Sequence, residues 1–267
     1  LHHFQCCLLG ALLCIAIHPD VLRGQSAAEP HIFQVGEDLV YNVRYGPFDL
    51  GSIRVLALKR EEIPNHLVYH TKALINSYPK VPFVDLHATY ESYIDTMMYS
   101  HKFIGKLKQD DWWDFSRYTF DYDRKMVFLE KGEHDTVVEK RDTMALDQVY
   151  EDGLSLFFTA RQYLLSGRTM TIPTIINEQK VTTRINFSGE RDPVEVDAID
   201  YPVDAVKFEG TANFVGIFGL TGDFEGWFSN DEARVPIMAK MKVILGSVTI
   251  ELMQWTRAGW VPPRAKG

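Results

Sequence analysis

The sequence predicts a mainly β protein: an antiparallel open half-barrel or curved sheet with one amphipathic helix packed across it. Three observations predict it. Apolar and polar residues alternate along most of the chain, which is the period of half-buried strands. Turn-forming residues recur at intervals of about ten positions, as in sandwiches and open barrels. Only one segment, Leu146 to Leu165, carries apolar residues at three- and four-residue spacing.

The alternation is clearest from Asp223 to Trp255. Phe224, Gly226 and Phe228 recur every second position, then Val235, Ile237, Ala239, Met241 and Val243, then Val248, Ile250 and Leu252. The breaks fall at Ser229-Asn230-Asp231 and Leu245-Gly246-Ser247, where turn chemistry sits. This is a three-stranded meander whose apolar face needs the rest of the chain to cover it.

From the beginning, Cys6 to Ile17 is an uncharged apolar run too short to span a bilayer, followed by the small residues Ser26-Ala27-Ala28. Residues 1–28 therefore read as a secretory signal peptide and 29–267 as a single β-rich domain, periplasmic or otherwise exported after cleavage. No Lys or Arg precedes the run and no Met opens it, which points to a truncated or mis-assigned start. Cys6, Cys7 and Cys14 all lie in the run. The mature chain then has no thiol, which excludes disulfides, cysteine-ligated zinc and thiol nucleophiles. No later stretch reaches the ~20 apolar residues of a transmembrane helix. The net charge of −8, without a basic stripe, argues against nucleic acid as a partner.

Phe33 to Tyr45 places Leu39, Tyr41, Val43 and Tyr45 on one strand face, and Gly46 to Gly51 reads as a hairpin connection. Ser52 to Lys59 and Leu67 to Ile75 complete a first meander. Ser77 to His87 is a crossing loop, because Pro79 and Pro82 lack the donor a central strand needs. Tyr90 to Asp95, Tyr99 to Lys108, Trp112 to Asp121, Lys125 to Glu130 and Val137 to Arg141 are further strands. In the helix Leu154, Phe157, Phe158, Ala160, Tyr163 and Leu164 form one stripe, with Asp152 or Gly153 capping its start and Gly167 its end. Thr169 to Ile176, Lys180 to Phe187 and Ala205 to Ala212 precede the closing meander.

Signatures of chemistry are sparse. The histidines beyond the leader (His31, His66, His70, His87, His101, His134) are scattered, and the pair His66 and His70 reads as exposed strand residues rather than metal ligands. Asp110-Asp111-Trp112-Trp113-Asp114 reads as a hairpin turn rather than an acid–base or cation site. Asp121-Tyr122-Asp123 lacks the glycine and glutamate of a calcium loop. No nucleophile has an evident base beside it, so the chain reads as non-enzymatic, with no catalytic residue, metal or cofactor expected. The glycine-rich stretch with Gly216, Gly219 and Gly222 is either a flexible apolar lip beside a pocket or a packed connection.

Sixteen Phe, 12 Tyr and 5 Trp on strands around a concave surface point to an apolar or lipid-like ligand. Its expected lining is Tyr41, Val43, Tyr45, Phe157, Phe158, Phe214, Phe218 and Trp227. The alternative is a cell-envelope module that offers a strand edge, or an apolar patch near Asn213 to Gly222, to a protein partner.

Several short patterns occur in a telling order: Phe33-Gln34-Val35-Gly36-Glu37-Asp38-Leu39-Val40-Tyr41, Gly51 at the next strand, Tyr90-Glu91-Ser92-Tyr93-Ile94-Asp95, Asp152-Gly153-Leu154-Ser155, and Trp227 to Pro236 with Gly246. Together they resemble the exported bacterial family called domain of unknown function 3108. Gly153 departs from the proline usual there. The resemblance implies a signal peptide and a β-rich fold related to the lipoprotein-carrier half-barrels of the Gram-negative periplasm, and it supplies no catalytic residues. Gly36, Gly51, Pro236 and Gly246 read as turn and edge positions. Asp95, Asp231 and Arg234 read as a site or a structural ion pair, the pair being favoured.

Overall fold

The computed structural model describes residues 31–64, 66–79, 81, 85–134, 137–214, 222–242 and 246–266. The leader, Phe218 and most of the glycine-rich stretch lie outside them. Eight strands come first: β1 (Asp38–Tyr45), β2 (Phe48–Ile63), β3 (His66–Ser77), β4 (His87–Asp95), β5 (Ser100–Lys108), β6 (Trp113–Asp121), β7 (Met126–Glu133) and β8 (Val137–Ala145). Then follow α1 (Ser155–Tyr163), β9 (Thr169–Ile176), β10 (Gln179–Asn186), β11 (Val194–Val196) and β12 (Ile199–Val203). The last four are β13 (Ala205–Ala212), β14 (Gly222–Ser229), β15 (Pro236–Lys242) and β16 (Ser247–Thr256).

Among the described residues fourteen strands form one unclosed antiparallel sheet, ordered β8-β7-β6-β5-β4-β3-β2-β1-β16-β15-β14-β13-β10-β9, and β11 and β12 pair as a separate two-stranded sheet. The first and last strands meet in its middle: Asp38 faces Thr256 and Tyr45 faces Val248. Alternation decides the faces. Leu39, Tyr41, Val43 and Tyr45 lie opposite Trp255, Leu252, Ile250 and Val248 on the inner face. On the outer face Arg54 pairs with Asp38, and Arg44 bonds Asp49.

The turns β1–β2, β3–β4, β5–β6, β13–β14 and β15–β16 share one end of the sheet, the upper rim. At the lower end α1 lies across the inner face. The Asp152 carboxylate accepts from the N–H groups of Leu154 and Ser155, both at 2.8 Å, as a helix start requires. Phe158 is fully buried, stacked 4.9 Å from Phe33, which stacks 4.2 Å from Tyr69. One such ring contributes about 2–3 kcal/mol through burial.

The two open edges of the sheet are treated differently. Ile175 of β9 packs with Phe103, Tyr118, Phe120 and Leu129, so the sheet curls until its last strand lies over the face of β5–β7. The edge of β9 bonds instead to the chain before the helix, through Glu151 N–H to Pro173 O (2.9 Å) and Ile175 N–H to Glu151 O (2.8 Å). β8 ends the other side with the exposed charges of Glu139, Lys140, Arg141 and Asp142, which discourage pairing with another chain.

On the inner face Phe208 lies opposite Gly226, and Phe224 opposite Gly210. A β-carbon on Gly226 would come 2.2 Å from the Phe208 ring, and one on Gly210 would come 2.2 Å from the Phe224 ring. Phe208 cannot swing aside, because Phe228 packs edge-on 4.7 Å away and Phe187 lies at 5.7 Å. Gly226→Val should therefore cost about 1–3 kcal/mol by overpacking, read as a lower urea midpoint with unchanged slope. An unchanged midpoint would mean that the ring relocates freely.

Three local expectations differ from the structure. Of the Leu146 to Leu165 segment only Ser155–Tyr163 is helical, starting just after the expected cap at Asp152 or Gly153, because Leu146 and Tyr150 join the sheet cluster around Phe103 and Glu151 is held by β9. The first strand begins at Asp38, and Phe33 serves as a ring under the helix instead. The β11–β12 hairpin was not expected. It covers the outer face, where Asp197 bonds Arg44 (2.9 Å) and its N–H donates to Glu251 (2.7 Å).

Candidate functional site

The inner face is the concave surface on which the expected ligand-lining residues can be placed. Its lower half is filled. Tyr41 and Phe158 are buried in one cluster with Leu39, Val55, Ile94 and Leu252, and half-buried Phe157 packs against it and toward Phe228. The upper half is built differently. Val43 and Val248 are buried there, and the apolar residues packed on them (Tyr45, Leu50, Ile53, Met241, Ile250) all come from strands β1, β2, β15 and β16. Beside them at the rim lies an open depression of about 440 Å³ lined by Tyr45, Gly46, Gly246, Ser247 and Thr249.

The structure thus divides the expected lining. Val43 and Tyr45 belong to the upper half, Tyr41, Phe157 and Phe158 to the packed lower half. Half-buried Phe214 follows β13 at the upper rim, and Phe218 lies outside the described residues. Trp227 faces the other way from its neighbour Phe228. Its indole donates to Asp192 (2.7 Å), and Lys207 and Lys240 sit over its ring beside the outer hairpin.

Two buried polar clusters anchor the helix. Arg161 donates to both carboxylate oxygens of Glu37 (2.6 and 3.0 Å) and to Ala233 O (2.9 Å), and Arg257 also reaches Glu37. At the other end Asp152, fully buried, accepts from the Ser92 hydroxyl, while its N–H donates to Ser155 Oγ (2.8 Å) and Ser100 Oγ (3.1 Å). Burial pushes the Asp152 carboxyl above its usual range, against the Ser92 hydroxyl, the Ser155 N–H and further donors that favour ionisation. Glu151 next to it is raised to about 8, by burial first. The Thr159 hydroxyl opposes this without regular hydrogen-bond geometry, and Asp152 adds to it. Burial also lifts the Tyr41 phenol, whose hydroxyl has no hydrogen-bond partner among the described residues.

The expected ion pair of Asp231 with Arg234 is not what forms. Asp231 closes the turn, accepting from the Ser229 hydroxyl (2.9 Å), the Arg234 N–H (3.0 Å) and the Trp260 indole (2.8 Å). Arg234, at φ +46°, turns its guanidinium to the carbonyls of Arg161 (3.1 Å) and Gln162 (2.6 Å), which the end of α1 leaves without helical partners. Asp95 belongs elsewhere, 2.9 Å from His101 Nε2. His66 meets His101, with ring centroids 4.1 Å apart, rather than His70. His70 instead contacts Glu91 at 2.9 Å and stacks on Tyr93. Sequence spacing could not show the His66–His101 meeting, because it is made by cross-strand register.

No helix among the described residues is long and apolar enough to cross a membrane, which says nothing about strands. In fold the chain is similar to a solved beta-barrel-like protein of domain of unknown function DUF1849 from Brucella abortus. The TM-score is 0.54 at 10% identity, over 84% of this chain and 98% of that one. No curated protein matches the sequence. The family model described as "Protein of unknown function (DUF3108)" matches residues 40–253, from within β1 to within β16 and so spanning both halves of the sheet. The chain belongs to that family.

Proposed function

We propose that this protein is an exported, non-catalytic carrier that holds a lipid-like molecule against the upper half of the inner face. One observation carries the reading: Val43, Val248 and their neighbours form an apolar floor to which, among the described residues, neither α1 nor the β11–β12 hairpin contributes. An acyl chain is the ligand class such a floor suits, since each methylene removed from water contributes about 0.8 kcal/mol. The buried serines read as structural: Ser100 and Ser155 bond each other at 2.8 Å and the backbone of Asp152, and Asp152 is fully buried with them at the start of the helix. The family resemblance to lipoprotein-carrier half-barrels supports the same reading.

A second reading, docking of a protein partner, draws on the upper rim. Phe48 (65% exposed), Val137 (52%), Leu107 (38%) and Trp112 (37%) stand there, the first three at strand ends and Trp112 just before β6. The edge version of that reading is weaker, because β8 is charged and β9 is bonded to Glu151.

Native mass spectrometry of protein purified from its host, with titration of a fluorescent fatty acid, separates the two. The carrier reading expects a bound acyl mass and saturable uptake, reduced roughly tenfold or more by Tyr45→Glu with Met241→Glu while the melting temperature holds. A clean apo mass with no saturable uptake removes it and leaves the rim as a docking surface.

A further inference from the structure

The lower ends of β3, β4 and β5 bring together three side chains that the carrier reading does not use. His66 opens β3, Asp95 closes β4 and His101 is the second residue of β5. One ligand atom from each lies within 4.8 Å of those of the others.

The local backbone explains the meeting. β4 and β5 pair regularly up to Tyr93 opposite Lys102, and then Ile94 faces Ser100, which leaves His101 as the extra residue of a β-bulge. A bulge re-aims a side chain. Ser100 keeps its inward direction toward Ser155, and His101 is turned to Asp95 Oδ2. The other oxygen of Asp95, Oδ1, accepts from the N–H groups of Met97 (2.8 Å) and Tyr99 (3.0 Å), which fixes the carboxylate and leaves Oδ2 to point at the histidines. Tyr122 packs edge-on against the His101 ring at 5.7 Å. His101 is buried, Asp95 half-buried and His66 exposed, so the cluster has a rigid wall and one side open to solvent.

We propose that His66, Asp95 and His101 hold a single divalent cation of the zinc class, with two imidazole nitrogens and one carboxylate oxygen as ligands and water in the fourth position. Imidazole selects zinc, cobalt, nickel or copper over magnesium and calcium, which take oxygen shells. Bonds of about 2.0–2.1 Å place tetrahedral ligand atoms about 3.3 Å apart. Asp95 Oδ2 and His101 Nε2 lie 2.9 Å apart, so a bound ion opens this contact by about 0.4 Å, and exposed His66 supplies the remaining movement. The backbone donors on Oδ1 orient the carboxylate from behind, as the outer partners of metal ligands do. The contact of His70 with Glu91 on the same sheet differs in kind. Lys72 Nζ already sits 3.0 Å from Glu91 and supplies the positive charge there.

The test uses tag-free chain stripped with chelator and titrated with zinc and with cobalt. One ion per chain is expected, with Kd of about 10 µM or tighter, and cobalt should give the intense visible band of a four-coordinate site. His66→Asn, at an exposed position, should keep the parent melting curve, weaken zinc at least about tenfold and remove the band. His101→Asn should remove the band as well, and millimolar magnesium or calcium should not compete. No stoichiometric uptake, or a band that survives His66→Asn, overturns the site.

Discussion

Arg161→Met is expected to cost about 3–5 kcal/mol of folding free energy, the penalty for leaving a buried partner uncompensated. Arg161 and Glu37 are essentially inaccessible, and the bidentate contact between them ties α1 to the segment before β1. Without the guanidinium, Glu37 keeps only Arg257, and Ala233 O loses the donor it has at 2.9 Å. A methionine fills the volume but replaces none of these bonds. Glu37→Gln should cost a similar amount, because two arginines then face a neutral amide. The double variant should lose less than the sum of the two, by more than about 1 kcal/mol, since neither buried charge is then left facing the other's absence. Urea titration of the four proteins measures this. A single-variant loss below about 1 kcal/mol would put the pair in the class of exposed ion pairs and contradict its burial.

The second large effect is in pH. Glu151 is raised from 4.5 to about 8. Between those values the folded chain holds a proton that the unfolded chain has released. The stabilisation is therefore fully present below about pH 4.5, falls by up to about 1.4 kcal/mol per unit as pH rises, and is lost once pH passes about 8. The whole step is on the order of 3–5 kcal/mol. Glu151→Gln keeps the backbone bonds to Pro173 and Ile175 while removing the titration. Its melting temperature should be flatter than the parent's across that window and higher than the parent's near pH 9. Parallel parent and variant curves would show that Glu151 is ionised in place. On the acid side Glu91 acts with the opposite sign. It is held at about 2, first by its hydrogen bond to His70 and also by Lys72, so its contribution is present above about pH 4.5 and lost toward pH 2.

Most of the strand order was legible because it is local. Apart from the step between β10 and β13, each half of the sheet is built from strands next to each other in sequence, so alternation and turn chemistry locate them. Asn177-Glu178 is an example: both residues have positive φ, as the tight hairpin between β9 and β10 requires. Asp152 was also legible as a polar group at the helix start, where its carboxylate accepts from the N–H groups of Leu154 and Ser155, although the N-cap position itself is Leu154. What escaped depends on distant partners. Arg161 gives no sign in sequence that it is a core residue, since its acid lies 124 positions away. His101 shows its direction only through a bulge set by β4. Trp227 and Phe228 are both aromatic, and only the outer hairpin shows which of them leaves the inner face. Val194 to Val203 was too short and too interrupted by acids and a proline to read as paired strands.

The placement of β1 against β16 has a consequence for how the chain acquires its shape. Strands β1 to β8 find their neighbours as soon as they exist, whereas Asp38 must wait for Thr256. Closing a loop of that length costs roughly 5 kcal/mol of chain entropy before a single contact is gained. Until then the edge of β1 that bonds β16 stays unpaired, with Leu39, Tyr41 and Val43 beside it. A chain emerging from its N-terminus thus spends nearly its whole synthesis with the β1 edge, the middle of its future sheet, exposed and sticky. Docking of the last strand is then the committed and slowest folding event, and the moment at which the molecule ceases to be prone to association.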